Sequence, residues 1–387
     1  MSRGQVLRSV VIPSLFLLVA MFNLTLCVAG LKELIVDQMH GTTAHASWFF
    51  SIESLAYIVF APIWGLLSDR LSRRKPLIVV GFLVSGLFYL SYLNVHSIPL
   101  LLSLRFVQGA FSVMAWSSLM AMVADQPDEA KRGRYMGMMG AALIFGVSLG
   151  APIGGYLSRS LGVRAPLEVA GFLFLALGLG SLFLRDQPSL RSQAGFAAIL
   201  GNLKARPRLL LPYLFQFVDR YTVGLFVVLF PLYLSNLGVT DPAVRGRYLA
   251  MFLLPFSLLQ YFTGRLSERI GPYKPLLWGS ALYGLVLCLV GYSDLHGLWW
   301  VMTALGVLAA VMFPPSMSLT VQLSDPQTRG SAMGGFNLAG SLGFALGPIC
   351  GHFIYEASGF SIAFIVSGGL ELLAVAVGVW VLFRWRT

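Results

Sequence analysis

Five charged residues lie inside long apolar stretches: Glu53, Arg105, Asp219, Arg220 and Glu371. A charge at the centre of a bilayer costs about 2.5–3.5 kcal/mol or more unless it is paired or wetted. A buried carboxylate without a partner takes up a proton in preference to staying charged, and that exchange is what a proton-coupled carrier needs. Glu53 falls in the outer half of its stretch, Asp219 near mid-depth with Arg220 directly after it, and Glu371 near the middle of the last stretch. Two readings are open for Arg105: it snorkels to the outer interface, or it lines a cavity, where it tunes a carboxylate or meets an anionic group. Asp219 is likewise either a titrating group or one partner of an internal pair with Arg220. Other chemistry is sparse. His40 and His45 have no Cys or acidic neighbour at ligand spacing, so no metal site is expected. The chain carries no phosphate-binding glycine loop, zinc-protease helix or nucleophile motif, which disfavours an ATP-driven pump and predicts no cofactor and no enzyme activity. Cys27, Cys288 and Cys350 are far apart within apolar runs and read as small core residues.

The elements that hold these charges follow from composition. Of 387 residues, 57% are apolar and only 11% charged, against about 25% charged in soluble domains. Such a chain lives in lipid. A spanning helix takes ~20 apolar residues, and the hydropathy pattern predicts twelve, at about 8–30, 46–67, 76–93, 98–123, 134–157, 166–184, 209–234, 247–263, 275–292, 298–322, 331–355 and 360–383. The predicted class is an all-α membrane protein with six spans in residues 1–184, a polar linker at 185–208 and six spans in 209–387. Within the linker, 196–203 is expected to form a short interfacial helix. Span 1 is read as a retained span, because no small-x-small cleavage site follows it. Of the 27 Lys and Arg residues, twenty fall on one side of this topology, five on the other, and Arg105 and Arg220 within spans. That bias places both termini in the cytoplasm. Basic loops facing anionic lipid account for the net charge of +11 without nucleic acid.

A basic hairpin organises each half. Gly65, Asp69, Arg70, Arg73 and Arg74 lie between spans 2 and 3, and a related string with Gly264, Glu268 and Arg269 recurs 199 positions later. Glycines repeat as well. Gly137, Gly146, Gly150 and Gly154 in span 5 match Gly334, Gly343, Gly347 and Gly351 in span 11 at a constant offset of 197, as does Thr25 with Thr222. Glycines four apart line one helix face and admit a neighbouring helix closely. These are expected to let spans 5 and 11 slide past partners from the opposite half.

The hairpin string resembles the signature of the major facilitator superfamily, Gly-x-x-x-Asp-Arg-x-Gly-Arg-Arg/Lys between the second and third of about twelve helices; Ser72 stands where the second glycine is usual. Arg105-Phe-Val-Gln108-Gly109 in span 4 is similar to a second motif of that family, and Gly150-Ala-Pro-Ile-Gly154-Gly155 to its antiporter motif with the proline displaced by one. The resemblance implies two pseudo-symmetric six-helix bundles around a mid-membrane cavity, working by alternating access. It points to the drug/proton antiporter branch: export of a small apolar or amphipathic solute in exchange for protons, by a monomer in a bacterial inner membrane. An importer of an organic anion held by Arg105 and Arg220, or a lipid flippase, uses the same fold. The cavity is expected to involve Asn23, Gln108, Trp116, Gln216 and Tyr221. A cytoplasmic gate is expected from the hairpin cations with Asp69 capping span 11, and from Asp125 pairing with Arg73 or Arg132. Span 12 is peripheral in this fold, so Glu371 is expected to be structural or to face a membrane defect.

Overall fold

The computed structural model describes residues 7–71, 73–125, 132–184, 196–325 and 328–386. Among these there is no strand. The helices are α1 (Ile12–Leu26), α2 (Thr43–Leu71), α3 (Lys75–Ser91), α4 (Ile98–Ala124), α5 (Arg132–Leu161), α6 (Ala165–Ser181), α7 (Phe196–Ala205), α8 (Leu210–Asn236), α9 (Pro242–Ile270), α10 (Tyr273–Leu289), α11 (Leu295–Leu323) and α12 (Arg329–Arg386). Ten helical stretches are long and apolar enough to cross a bilayer, and α6 is a shorter apolar helix. α12 is two helices joined at Gly359, whose φ of 84° is open to glycine and strained for other residues. The turn between α5 and α6 uses Gly162 at φ 99°. The two glycines are 197 positions apart, so the repeat extends to the corner that follows each glycine ladder. Counting the two arms of α12 separately, α1–α6 and α8–α12 provide the twelve spans, with α7 in the linker.

Proline starts several of these helices. α3, α4 and α6 each carry it in the first turn, where its missing N–H is not needed. Asp294 caps α11 by accepting from the Gly297 N–H at 2.8 Å. His45, considered above as a metal ligand, accepts the Thr42 N–H at 3.0 Å and so turns the chain into α2.

Contacts divide the chain into two units, residues 1–192 with 238–247, and residues 193–237 with 248–387. In the first, α1 packs on α5, α2 on α4, and α3 on both α4 and α6. In the second, α8 packs on α12, and α10 on α11 and α12. The glycine ladders make the closest of these contacts. A methyl added at Gly146, Gly150 or Gly154 would overlap the backbone or Thr25 side chain of α1, and one added at Gly343 or Gly347 would overlap the backbone of α8. At Gly351 it would meet the Leu225 side chain. The ladders thus seat spans 5 and 11 on spans 1 and 7 of their own unit, while a methyl added at Gly155, beside the ladder of span 5, would overlap the Pro242 carbonyl at the start of α9. Gly137 has no neighbour within reach, and Gly334 meets only the Ile199 side chain of α7, so neither belongs to the close-packed part of a ladder.

Candidate functional site

In the first unit, α2, α3 and α4 build a closed cage around Arg105. Gly109 on α4 lies so near α2 that a methyl there would sit 3.0 Å from the Glu53 carbonyl. That approach brings Arg105, one turn earlier, against Glu53. Arg105 Nη2 meets Glu53 Oε2 at 2.5 Å, with both side chains 2% exposed. Its Nη1 donates to Tyr89 Oη at 2.7 Å and to Gln108 Oε1 at 3.0 Å, and its Nε to the Phe49 carbonyl at 3.4 Å. The guanidinium carbon also lies 4.5 Å from the centre of the Phe49 ring and 5.2 Å from that of Tyr89. The second oxygen of Glu53 accepts from Tyr57 at 2.8 Å. Each face and edge of the cation therefore has a partner. A buried pair supported this fully offsets its own desolvation, and removing one member leaves a buried charge worth about 3–5 kcal/mol of lost stability.

The second unit places its acids differently. Asp219 on α8 is 5% exposed. Arg220 Nε lies 3.3 Å from Asp219 Oδ2, but neither carboxylate oxygen has a hydrogen bond. The Arg220 guanidinium instead faces aromatic rings, 4.3 Å from Phe313 and 5.7 Å from Phe256. Phe215, Leu276, Ser280, Met312, Phe313 and Ser316 line a crevice beside Asp219 that is too narrow for a water molecule. Glu371, on the second arm of α12, is fully buried and neither of its oxygens has a partner. It faces inward: Gly284 of α10 packs against its Cβ. Of the two expectations for Glu371, structural or facing a membrane defect, the inward placement contradicts the second.

Outside the bilayer core, Arg74 is buried and donates from Nε to Asp125 at 3.1 Å and from Nη1 to Ser68 Oγ. It ties the ends of α2 and α4 to the start of α3. Of the two partners expected for Asp125, Arg73 is exposed, and the structure puts Arg74 in that role. The side chains of Asp69, Arg70, Arg132 and Glu268 lie outside the described residues, while Gly65 and Arg269 are described without a close partner for the glycine and with the arginine exposed. At the basic end of the second unit Arg206 pairs with Asp325, and Asn202 of α7 donates to the Thr328 carbonyl at 3.3 Å.

The five expected cavity residues divide between the units, Asn23, Gln108 and Trp116 in the first and Gln216 and Tyr221 in the second. Gln108 belongs to the Arg105 cage, and Asn23 donates weakly to the Ala170 carbonyl at 3.5 Å. Trp116 lies edge-on to Tyr57, with centroids 5.7 Å apart. Gln216 packs beside Gly340, and Tyr221 lies where α8 meets Gly343 and Gly347. Sequence reading missed Tyr89, Tyr57 and Tyr283, hidden among many span aromatics. It also missed Glu33, which pairs with Arg245, one of the five cations on the outer side by sequence; Arg245 is fully buried. Among the described residues no group of three or more His, Cys, Asp or Glu is placed to hold a metal.

Two units of repeated apolar spans with buried intramembrane charges define an integral membrane protein. The Major Facilitator Superfamily model matches residues 14–245 and 213–387, and the chain belongs to that family. It is 26% identical to the multi-drug resistance efflux pump PmrA of Streptococcus pneumoniae, over 83% of this chain and 84% of that one. It is 28% identical to the multidrug resistance protein MdtG of Citrobacter koseri, over 92% and 90%. Its fold matches a solved structure of the nucleoside transporter NupG with a TM-score of 0.77 at 14% identity, covering 95% of this chain and 97% of that one.

Proposed function

We propose that this transporter exports a small apolar or amphipathic solute by alternating access, in exchange for protons, as a monomer in a bacterial inner membrane with both termini in the cytoplasm. The observation that carries this reading is the closed cage around Arg105. An importer that clamps an organic anion needs a guanidinium with free N–H groups, and those of Arg105 are engaged by Glu53, Tyr89, Gln108 and Phe49. The relatives named as multidrug efflux pumps agree with export. Asn23, Trp116, Gln216 and Tyr221 are proposed to contribute to the solute path, and the Arg74–Asp125 pair to hold the basic end of the first unit while Asp69 and its neighbours gate.

One observation favours the anion importer or lipid flippase: Arg220 keeps 17% side-chain exposure and stacks on two aromatic rings, a geometry that suits an amphipathic anion. Proteoliposomes separate the readings. With a pH gradient imposed, the export reading expects uphill movement of a hydrophobic cationic dye that stops on adding a protonophore. Movement of an organic anion or a labelled lysolipid, abolished by Arg220→Ala and indifferent to the protonophore, would replace it.

A further inference from the structure

Glu371 and Asp219 sit at one level of the second unit. α8 and the second arm of α12 run antiparallel, with Phe215 against Gly378 and the Phe226 ring tilted against that of Phe364, centroids 5.4 Å apart. Between those two contacts, Asp219 and Thr222 on α8 come level with Glu371. From the third side, α10 adds Tyr283, which is fully buried with an unpartnered hydroxyl. Thr222 faces both Glu371 and Tyr283, but its one O–H is donated to the Asp219 carbonyl at 2.8 Å. What it offers Glu371 is therefore a lone pair. Tyr283 brings an O–H that can donate, but where Thr222 meets Glu371 an acceptor faces an acceptor, and the group that completes that contact is a proton.

The surroundings narrow the occupant further. The titratable and charged groups facing this cluster are Asp219, Arg220 and Tyr221 from α8, Tyr283 and Cys288 from α10, and Cys350 from the first arm of α12. α11 presents Met312, Phe313 and Ser316. Arg220 is the one cation in this set, and it lies on Asp219 and the aromatic rings. A hard cation such as calcium or magnesium needs a shell of six or so oxygens, more than two carboxylates and a threonine supply, and the crevice beside Asp219 has no room for water to add them. Nor does the fold demand acids here. At the repeat offset of 197, Asp219 corresponds to Phe22 and Glu371 to Phe174, and the Phe174 ring simply packs on Phe82 and Tyr89.

We infer that Asp219 and Glu371 form a single proton-binding pair within the second unit, with Thr222 and Tyr283 as its hydrogen-bonding frame, and that the transported proton resides there and not on Glu53. Binding converts one carboxylate oxygen to O–H, which donates to Thr222. Release returns the proton and restores the second negative charge. Like charges at close range resist coexisting, so the pair carries one proton more readily than none. The inference rests on the proton-coupled reading above.

Infrared difference spectra of the intact protein in proteoliposomes, recorded across a pH titration, test it. A carboxylic C=O band that titrates is expected in the unsubstituted protein and absent in Glu371→Gln. In Asp219→Asn its midpoint should move by about one pH unit or more, in the sense that removing a like charge requires; a merely structural Asp219 would leave the midpoint in place. Where Glu371→Gln fails to fold, the Asp219→Asn shift decides. A band indifferent to both substitutions, with transport still driven by the pH gradient, overturns the pair and leaves the proton-coupled reading standing. Wild-type transport indifferent to the gradient overturns that reading and the pair's role with it.

Discussion

The two units carry their buried charges in opposite ways. In the first, Glu53 and Arg105 neutralise each other and every edge of the pair is hydrogen-bonded. In the second, Asp219 and Glu371 are buried without a hydrogen bond to either. The repeat shows that these are separate additions to one scaffold. Gly109 and Gly306 are 197 apart; Gly109 abuts Glu53 and Gly306 abuts Phe252, so the Glu53 site is occupied by phenylalanine in the second unit. Arg105 likewise corresponds to Met302. Conversely, phenylalanines stand in the first unit where the second has Asp219 and Glu371. Each unit thus shows that the other's charges are dispensable for packing. What differs is the consequence: a saturated pair is a lock, and an unsaturated pair of acids is a place for a proton.

The sharpest way to break this contrast is to take one member from the lock. Arg105→Ala leaves Glu53 buried with Tyr57 as its partner, and should cost about 3–5 kcal/mol. The expected readout is a large fall in detergent Tm and in membrane yield. Arg105→Lys should fare little better: lysine keeps the charge but cannot reach Glu53, Tyr89, Gln108 and the Phe49 carbonyl from one nitrogen. The double substitution Glu53→Phe with Arg105→Met, which copies the second unit, should recover much of the loss. Failure of that rescue would show that the cage supports the packing in its own right.

A smaller effect is expected at the glycine seats. Gly154→Ala forces a methyl into the Leu26 carbonyl of α1, with no flexible side chain to yield, and overpacking of this kind costs about 1–3 kcal/mol. Gly137→Ala meets open space and should leave Tm unchanged. Equal shifts at both positions would mean that helix propensity, and not the contact with α1, sets the requirement for glycine.

The basic ends of the two units extend the comparison. Arg74 is buried, and its partner Asp125 is 12% exposed, whereas Arg206 and Asp325 are 39% and 47% exposed. Asp125→Asn should therefore lower Tm measurably, while Asp325→Asn should stay within the ~1 kcal/mol typical of surface pairs and fade further in high salt.

Much of this architecture was legible in the chain. Hydropathy gives the spans because the bilayer sets their length, and the 197-residue offset ties Gly146 to Gly343 and Thr25 to Thr222 before any coordinates. The facing of side chains was not legible. In a span where most residues are apolar, no moment distinguishes the side that meets lipid from the side that meets protein, so Glu371 read as peripheral although it is fully buried. The partner of Arg105 was hidden for a related reason. Glu53 lies 52 positions away, and only the crossing of α2 and α4 at Gly109 brings the two together. The glycine ladders were legible as close-packing faces, but a ladder records how near a neighbour comes and not which helix it is.

A small expected change in stability is also the most telling. Glu371→Met replaces an unpartnered, fully buried carboxyl with an apolar side chain of similar length, at a level where the first unit already accepts Phe174. Replacing a buried polar group that has no hydrogen bond by an apolar one is neutral or stabilising. The variant should therefore unfold within about 1 kcal/mol of the unsubstituted protein, on the stable side if either. Function should separate from stability: uphill dye export driven by a pH gradient is expected to vanish, while downhill exchange of dye across the same proteoliposomes persists. Arg105→Ala gives the reverse pattern, losing the fold before the mechanism can be read. If Glu371→Met instead unfolds as Arg105→Ala does, Glu371 has a structural partner, and the opposition between a locked pair in one unit and an open one in the other collapses. If it folds and still exports uphill, the acids of the second unit are passengers, and the proton must be sought on Glu53 after all.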